Sequence, residues 1–91
     1  MSTKMKKWED LEPLVTEMLS QGFALTRSFW DGAKACYRLT FLMGEVEMDK
    51  RRMDHEKLRD LVESLSEHFD RSDVQKREYG LRVRIVAYAA V

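Results

Sequence analysis

Apolar residues in this chain recur with two different periods, and the order in which those periods follow one another restricts the fold more than any other feature. Leu11, Leu14, Val15, Met18 and Leu19 fall at i, i+3, i+4, i+7 and i+8, which is one stripe of a helix. Leu58, Leu61, Val62, Leu65 and Phe69 make a second stripe of the same kind. The remaining apolar runs alternate with period two: Phe23, Leu25 and Phe29, then Ala35, Tyr37, Leu39, Phe41 and Met43, and lastly Tyr79, Leu81, Val83, Ile85, Ala87 and Ala89. The order is therefore α-β-β-α-β. Each element has one face to bury, so the expected fold class is α+β, a three-stranded antiparallel sheet with two helices packed on one face. A right-handed crossover through the second helix places the last strand beside the first, giving sheet order 2-1-3.

The element ends are marked by local chemistry. Asp10 is the expected N-cap of the first helix, with Pro13 in the first turn where its missing N–H costs little. Gly22 stands just past the last periodic residue, where a left-handed residue is wanted, and Asp54 is the expected N-cap of the second helix. Between the first two strands, a two-residue turn at Asp31-Gly32 would set the apolar positions of one strand opposite the polar positions of the other. A three-residue loop, Trp30-Asp31-Gly32 with a left-handed Gly32, pairs Phe29 with Ala33 and Leu25 with Tyr37 and keeps all apolar residues on one face. After Gly44 the apolar parity shifts from odd to even at Val46 and Met48, so the strand is expected to bulge at Gly44 or to restart beyond it. Lys50-Arg51-Arg52 then forms a basic turn, and residues 70–77 are charged, aperiodic and expected to be a loop. Residues 1–9 lack a period and are expected to be a flexible N-terminus, with 10–91 as a single domain.

With 91 residues, the chain can build one core of limited margin. Sixteen Lys and Arg balance sixteen Asp and Glu, so the total charge encodes no attraction to nucleic acid or membrane. The one cysteine, Cys36, has no internal partner for a disulfide, which points to a reducing cytoplasm. Trp8-Glu9-Asp10 follows the basic start where a secretory leader needs an apolar run.

Catalytic and metal chemistry find little support. Cys36 lies on the polar parity of its strand with neither histidine near it in sequence, and reads as a plain strand cysteine. His55 and His68 are thirteen apart and do not stack on a helix, and no C-x-x-C or H-E-x-x-H occurs, so no metal and no cofactor are expected. The four glycines are isolated and build no phosphate loop. Glu45, Glu47 and Asp49 alternate along the extended second strand as a solvated edge. A small nuclease would need His55 or His68 to converge with an arginine in a cleft, and no motif announces that.

Charge is instead segregated by sign. Glu56, Asp60, Glu63 and Glu67 gather on the second helix opposite its apolar stripe, a secondary acidic surface. The outward parity of the sheet carries Lys34, Arg38, Arg82 and Arg84, with Leu42, Val86 and Tyr88 among them. Apolar and cationic residues mixed on an open sheet face have the makeup of a protein interface. The reading is thus a non-catalytic interaction module that occupies a surface of a protein partner, in the manner of the small inhibitors and accessory factors of phages and plasmids. A second copy closing sheet on sheet, as a homodimer, is one candidate cover. The alternative is a small nucleic-acid-binding domain that uses the same basic face and the Lys50-Arg51-Arg52 turn. Arg27 fits neither scheme: regular alternation buries it between Leu25 and Phe29, where it must snorkel to an edge or meet Glu12 or Glu17.

Overall fold

The computed structural model describes residues 8–89. The expectation of a flexible N-terminus therefore falls, for residues 1–7, outside the described residues. Helix α1 (Trp8–Ser20) leads to strands β1 (Ala24–Asp31) and β2 (Cys36–Gly44). Helices α2 (Glu45–Arg51) and α3 (His55–Ser64) follow, then a single 3-10 turn at Ser66–His68, and strands β3 (Arg71–Arg77) and β4 (Gly80–Tyr88). Among the described residues the architecture is α+β as expected, with three α-helices and four strands where the sequence suggests two and three. The strands form one antiparallel sheet in the order β1-β2-β4-β3.

That order corrects the expected 2-1-3, and the cause is β3. Residues 71–77 carry one apolar side chain, the half-buried Val74, because β3 is an edge strand. Charged residues at an edge discourage further strand pairing and also erase the alternation by which a strand is recognised. The additional strand reverses the chain once more, so β4 runs antiparallel to β2 and pairs with it from Cys36↔Tyr88 to Gly44↔Gly80. No parallel crossover is needed.

Both helix signals at α1 can be judged. Gly22 closes the helix at φ +98°, with Gly22 N–H donating to the Leu19 carbonyl (3.0 Å) and Phe23 N–H to that of Met18 (3.1 Å), a Schellman arrangement. Asp10, however, lies inside the helix rather than capping it, and so does Pro13. Leu11, Leu14 and Met18 are fully buried, while Leu19 is 48% exposed and drops out of the stripe. At α3, Asp54 is the N-cap as expected, its Oδ1 accepting from Lys57 N–H at 2.8 Å.

Residues 45–49, expected as extended strand, together with Lys50 and Arg51 of the expected basic turn, are helix α2 with Gly44 as N-cap. Glu45 and Glu47 occupy its first turn, and Lys50 and Arg51 its last, which complements the helix dipole. The basic turn is thus a helix end, and Arg52 closes it in the left-handed region at φ 52°.

The core lies between the helices and the face of the sheet formed by Leu39, Phe41, Met43, Leu81, Val83, Ile85 and Ala87, joined by Leu11, Leu14, Met18, Phe23, Leu58, Val62 and Phe69. The β1–β2 register departs from expectation. The strands pair Asp31↔Cys36 through a four-residue turn, Gly32 to Ala35, rather than a three-residue loop. Ala35 takes the left-handed conformation at φ 50°, and Asp31 Oδ1 accepts from Ala33 N–H (3.1 Å) and Lys34 N–H (3.3 Å). The Asp side chain thus supplies the turn bonds that a glycine-based turn would have made in the backbone. Lys34 and Ala35 consequently belong to the turn and not to β2.

A bulge between Leu25 and Arg27 resolves the difficulty with Arg27. Leu25 pairs with Phe41 on the buried face, but Arg27 pairs with Thr40 and Phe29 with Arg38 on the outer one. The extra residue flips the parity, so Arg27 is exposed and needs no carboxylate from α1. Phe29, expected to be buried, goes outward with it, and Trp30 turns toward Tyr37, with ring centroids 4.8 Å apart.

Candidate functional site

The helices leave the other face of the sheet uncovered, and the strand registers define what stands on it. Across β1, β2, β4 and β3 the outward rows read Phe29, Arg38, Val86, Arg71; then Arg27, Thr40, Arg84, Asp73; then Ala24, Leu42, Arg82, Gln75; and finally, without a β1 member, Gly44, Gly80, Arg77. Cys36 and Tyr88 end the array, Cys36 fully buried and Tyr88 36% exposed.

Of the seven residues singled out on the outward face, the structure brings six together: Arg38, Leu42, Arg82, Arg84, Val86 and Tyr88. Lys34 is set apart in the hairpin turn. Arg27, Arg71 and Arg77 do not follow from the sequence parity, the first because of the bulge and the other two because residues 71–77 have no apolar alternation that marks a strand. The face thus holds six guanidiniums, Arg27, Arg38, Arg71, Arg77, Arg82 and Arg84, against the carboxylates of Asp31 and Asp73. The six are arginine, the side chain that can stack and make forked hydrogen bonds.

Their local partners are few. Arg38 Nε donates to Asp31 Oδ2 at 3.2 Å, a half-buried pair. Arg27 lies 4.8 Å over the Phe29 ring, a cation–π contact. Arg82 Nη2 donates to Gln75 Oε1, while the buried Arg82 Nε has no hydrogen-bond partner. Burial first, and then the neighbouring charges of Arg77 and Arg84, hold the Arg82 guanidinium below its ordinary pKa, with Asp73 opposing them. Among the described residues no carboxylate forms an ion pair with Arg27, Arg71, Arg77, Arg82 or Arg84.

Asp31 ties the turn to this face. Burial raises its pKa, but the Lys34 N–H and the Arg38 guanidinium outweigh that and leave it below the ordinary carboxylate range. A depressed carboxyl stabilises the fold above the unfolded-state pKa and loses that contribution as pH falls through the lower folded one. Asp31→Asn keeps a turn acceptor and loses the charge opposite Arg38; Asp31→Ala loses both. Urea melts at neutral pH should rank wild type above Asn and Asn above Ala. The gap between wild type and Asn should close on acidification below the usual carboxylate range.

The acidic residues lie on the helical side. Glu56, Asp60 and Glu63 are exposed on α3, and Glu67 is exposed in the 3-10 turn beyond the helix end. The histidines also belong to that layer and not to the arginine face. His55 Nε2–H donates to the Val74 carbonyl at 3.1 Å, and His68 Nδ1–H to that of Asp10 at 3.3 Å. Among the described residues no group of three or more His, Cys, Asp or Glu could hold a metal ion. No described helix is long and apolar enough to cross a membrane.

Comparison with protein-family models, with curated proteins and with solved structures finds no match for this chain.

Proposed function

We propose that the chain is a non-catalytic interaction module that lays the open face of its sheet on an acidic surface of a protein partner. One observation carries the reading: six arginines share an uncovered face with Phe29, Leu42, Val86 and Tyr88 in a chain of zero formal net charge. Arginine and tyrosine are the residues over-represented among binding hot spots, and apolar groups between cations give a partner something to desolvate. The opposite sign sits on the helical side at Glu56, Asp60, Glu63 and Glu67, so the molecule is dipolar and can be steered onto an acidic target. A two-fold sheet-on-sheet homodimer would set guanidiniums against guanidiniums, which favours a different protein over a second copy.

The test is capture from a lysate by immobilised protein, with and without nuclease, comparing wild type with Arg82→Glu/Arg84→Glu and with Phe29→Ala. A protein bound in the presence of nuclease should be lost at least ~10-fold in Arg82→Glu/Arg84→Glu, since removing one partner of a desolvated charge pair costs about 2–5 kcal/mol, and should be weakened in Phe29→Ala through the loss of an aromatic anchor. Capture unaffected by both variants overturns this choice of face.

A second reading rests on the pairing of the same cations with Phe29 and Tyr88, whose rings could stack bases. It requires binding to single-stranded oligonucleotides that weakens steeply with salt. Fluorescence anisotropy showing no binding at low salt ends it.

A further inference from the structure

One end of the arginine face is recessed, and the reason lies in two glycines. Gly44 and Gly80 pair across β2 and β4 at the end of their ladder, so no side chain stands on the sheet there. A Cβ on Gly44 would meet nothing within 4 Å. The bare backbone is the floor of a cleft of about 850 Å³ that extends along β4 toward Arg84 and across to Thr26 and Arg27. This lies in the range of small-molecule sites.

The walls are unusual in charge. Arg27, Lys76, Arg77, Arg82 and Arg84 line the cleft, and Glu78 in the β3–β4 turn is the carboxylate among the lining residues. Arg82 and Arg84 are on the same face of β4 two residues apart, which separates their Cα atoms by roughly 7 Å. Arg77 is diagonal to Arg82 across the β3–β4 pair. Like charges this close repel, and Arg82 adds a buried Nε without a hydrogen-bond partner. Neighbouring guanidiniums can share the oxygens of an anion in a way that water and a neutral glutamine cannot equal. A single carboxylate offsets one of these charges. A phosphate monoester brings about −1.5 to −2 and three acceptor oxygens, which suits a group of guanidiniums better. Beside the cations, Leu42 and Tyr79 are 39% and 73% exposed and offer apolar surface.

We propose that this cleft binds a small phosphate monoester. Its phosphate is held by Arg82 and Arg84 with Arg77 and Arg27 around it, and its organic group lies over the Gly44–Gly80 floor against Leu42 and Tyr79. The inference goes beyond the interface reading, because it requires no protein partner and concerns one end of the face.

The test is titration calorimetry of the isolated protein at constant ionic strength with inorganic phosphate, phenyl phosphate and adenosine monophosphate. Wild type should bind both monoesters saturably and more tightly than inorganic phosphate. Arg82→Gln/Arg84→Gln should weaken binding at least ~10-fold, by analogy with the loss of charge-assisted bonds elsewhere. Gly44→Leu, at an open position with an ordinary φ of −76°, should fold normally and block the floor with a similar loss. Arg71→Gln, on the same face but outside the cleft, should bind as wild type does. The proposal is overturned if wild type shows no saturable heat with any of the three probes. It is equally overturned if Arg71→Gln weakens binding as much as the cleft variants, which would mark diffuse charge attraction. Inorganic phosphate binding as tightly as the two monoesters removes the organic half. Protein capture and phosphate titration use separate readouts, so either reading can fail while the other stands.

Discussion

Phe41→Ala is expected to remove about 3–5 kcal/mol of stability, the range for truncating a buried phenylalanine to alanine. Phe41 lies in the middle of β2, an inner strand, and is fully buried. It pairs with Leu25 of β1 on one side and Val83 of β4 on the other. It belongs to the single cluster that includes Leu11, Leu14 and Met18 of α1 and Leu58 of α3. Removing the ring therefore opens a void at the point where both inner strands meet the helical layer, and that layer cannot close over it without moving against the sheet. A domain of this size holds on the order of 5–10 kcal/mol in total. The variant should consequently lose about half of its stability or more, with a urea midpoint shifted well down and an unchanged slope. Val74→Ala makes a useful contrast. Val74 is half-buried on the edge strand, so its truncation should cost well under half as much. Equal losses at the two positions would show that the core is not centred where the burial places it.

The legibility of this fold in its sequence follows from which faces are buried. Leu39, Phe41 and Met43, and Leu81, Val83, Ile85 and Ala87, alternate cleanly because their strands are internal to the sheet and have one face against the helices. Gly22 and Asp54 marked their helix ends because each performs a local bonding task there. The errors lie where tertiary context overrides local pattern. Strand β3 has no alternation to read, since its exposed edge is protected by charge. At α2 the parity shift at Val46 reads as a bulge or a restarted strand, yet acidic residues at the start and basic ones at the end are present as a helix signal. The bulge before Arg27 left one trace, a charged residue on a parity meant for the core. The same parity flip moves Phe29 outward, and Arg27 with Phe29 makes up the cationic and apolar contrast that β1 adds to the candidate site. The basic face was therefore half legible: Arg38, Arg82 and Arg84 follow from parity, whereas Arg27, Arg71 and Arg77 require the bulge and the fourth strand. The cleft was not legible at all, because it depends on Gly44 and Gly80 being in register, and that register depends on β4 lying beside β2.

The same two glycines yield opposite expected outcomes for one substitution. Gly80→Ser should destabilise the protein by about 2–5 kcal/mol, combining overpacking with a strained backbone. Gly80 has φ +156°, a conformation that side chains rarely adopt, and an added Cβ would overlap the Met43 carbonyl of the neighbouring strand. That carbonyl is backbone in an inner strand of the sheet, so it cannot swing aside as the end of a long side chain could. Relief would require parting β2 from β4 at the end of their ladder, where the Tyr79 carbonyl also accepts from Glu45 N–H at 3.0 Å and anchors the first turn of α2. Gly44→Ser, one strand away and paired with Gly80, meets none of this. Its φ of −76° and ψ of 163° are ordinary extended values, the space around it is open, and it is the N-cap of a helix that has no side-chain cap. Serine there can accept from an unpaired N–H of the first turn and should raise stability by a few tenths of a kcal/mol. Urea denaturation of the two variants side by side measures the difference directly. Equal effects would mean that the β2–β4 register does not bring the two glycines together as described, and the floor of the proposed phosphate cleft would go with it. A loss at Gly80 alone, with Gly44→Ser as stable as wild type or slightly more so, fixes that register in solution and leaves Gly44 as the position from which the cleft can be filled without disturbing the fold.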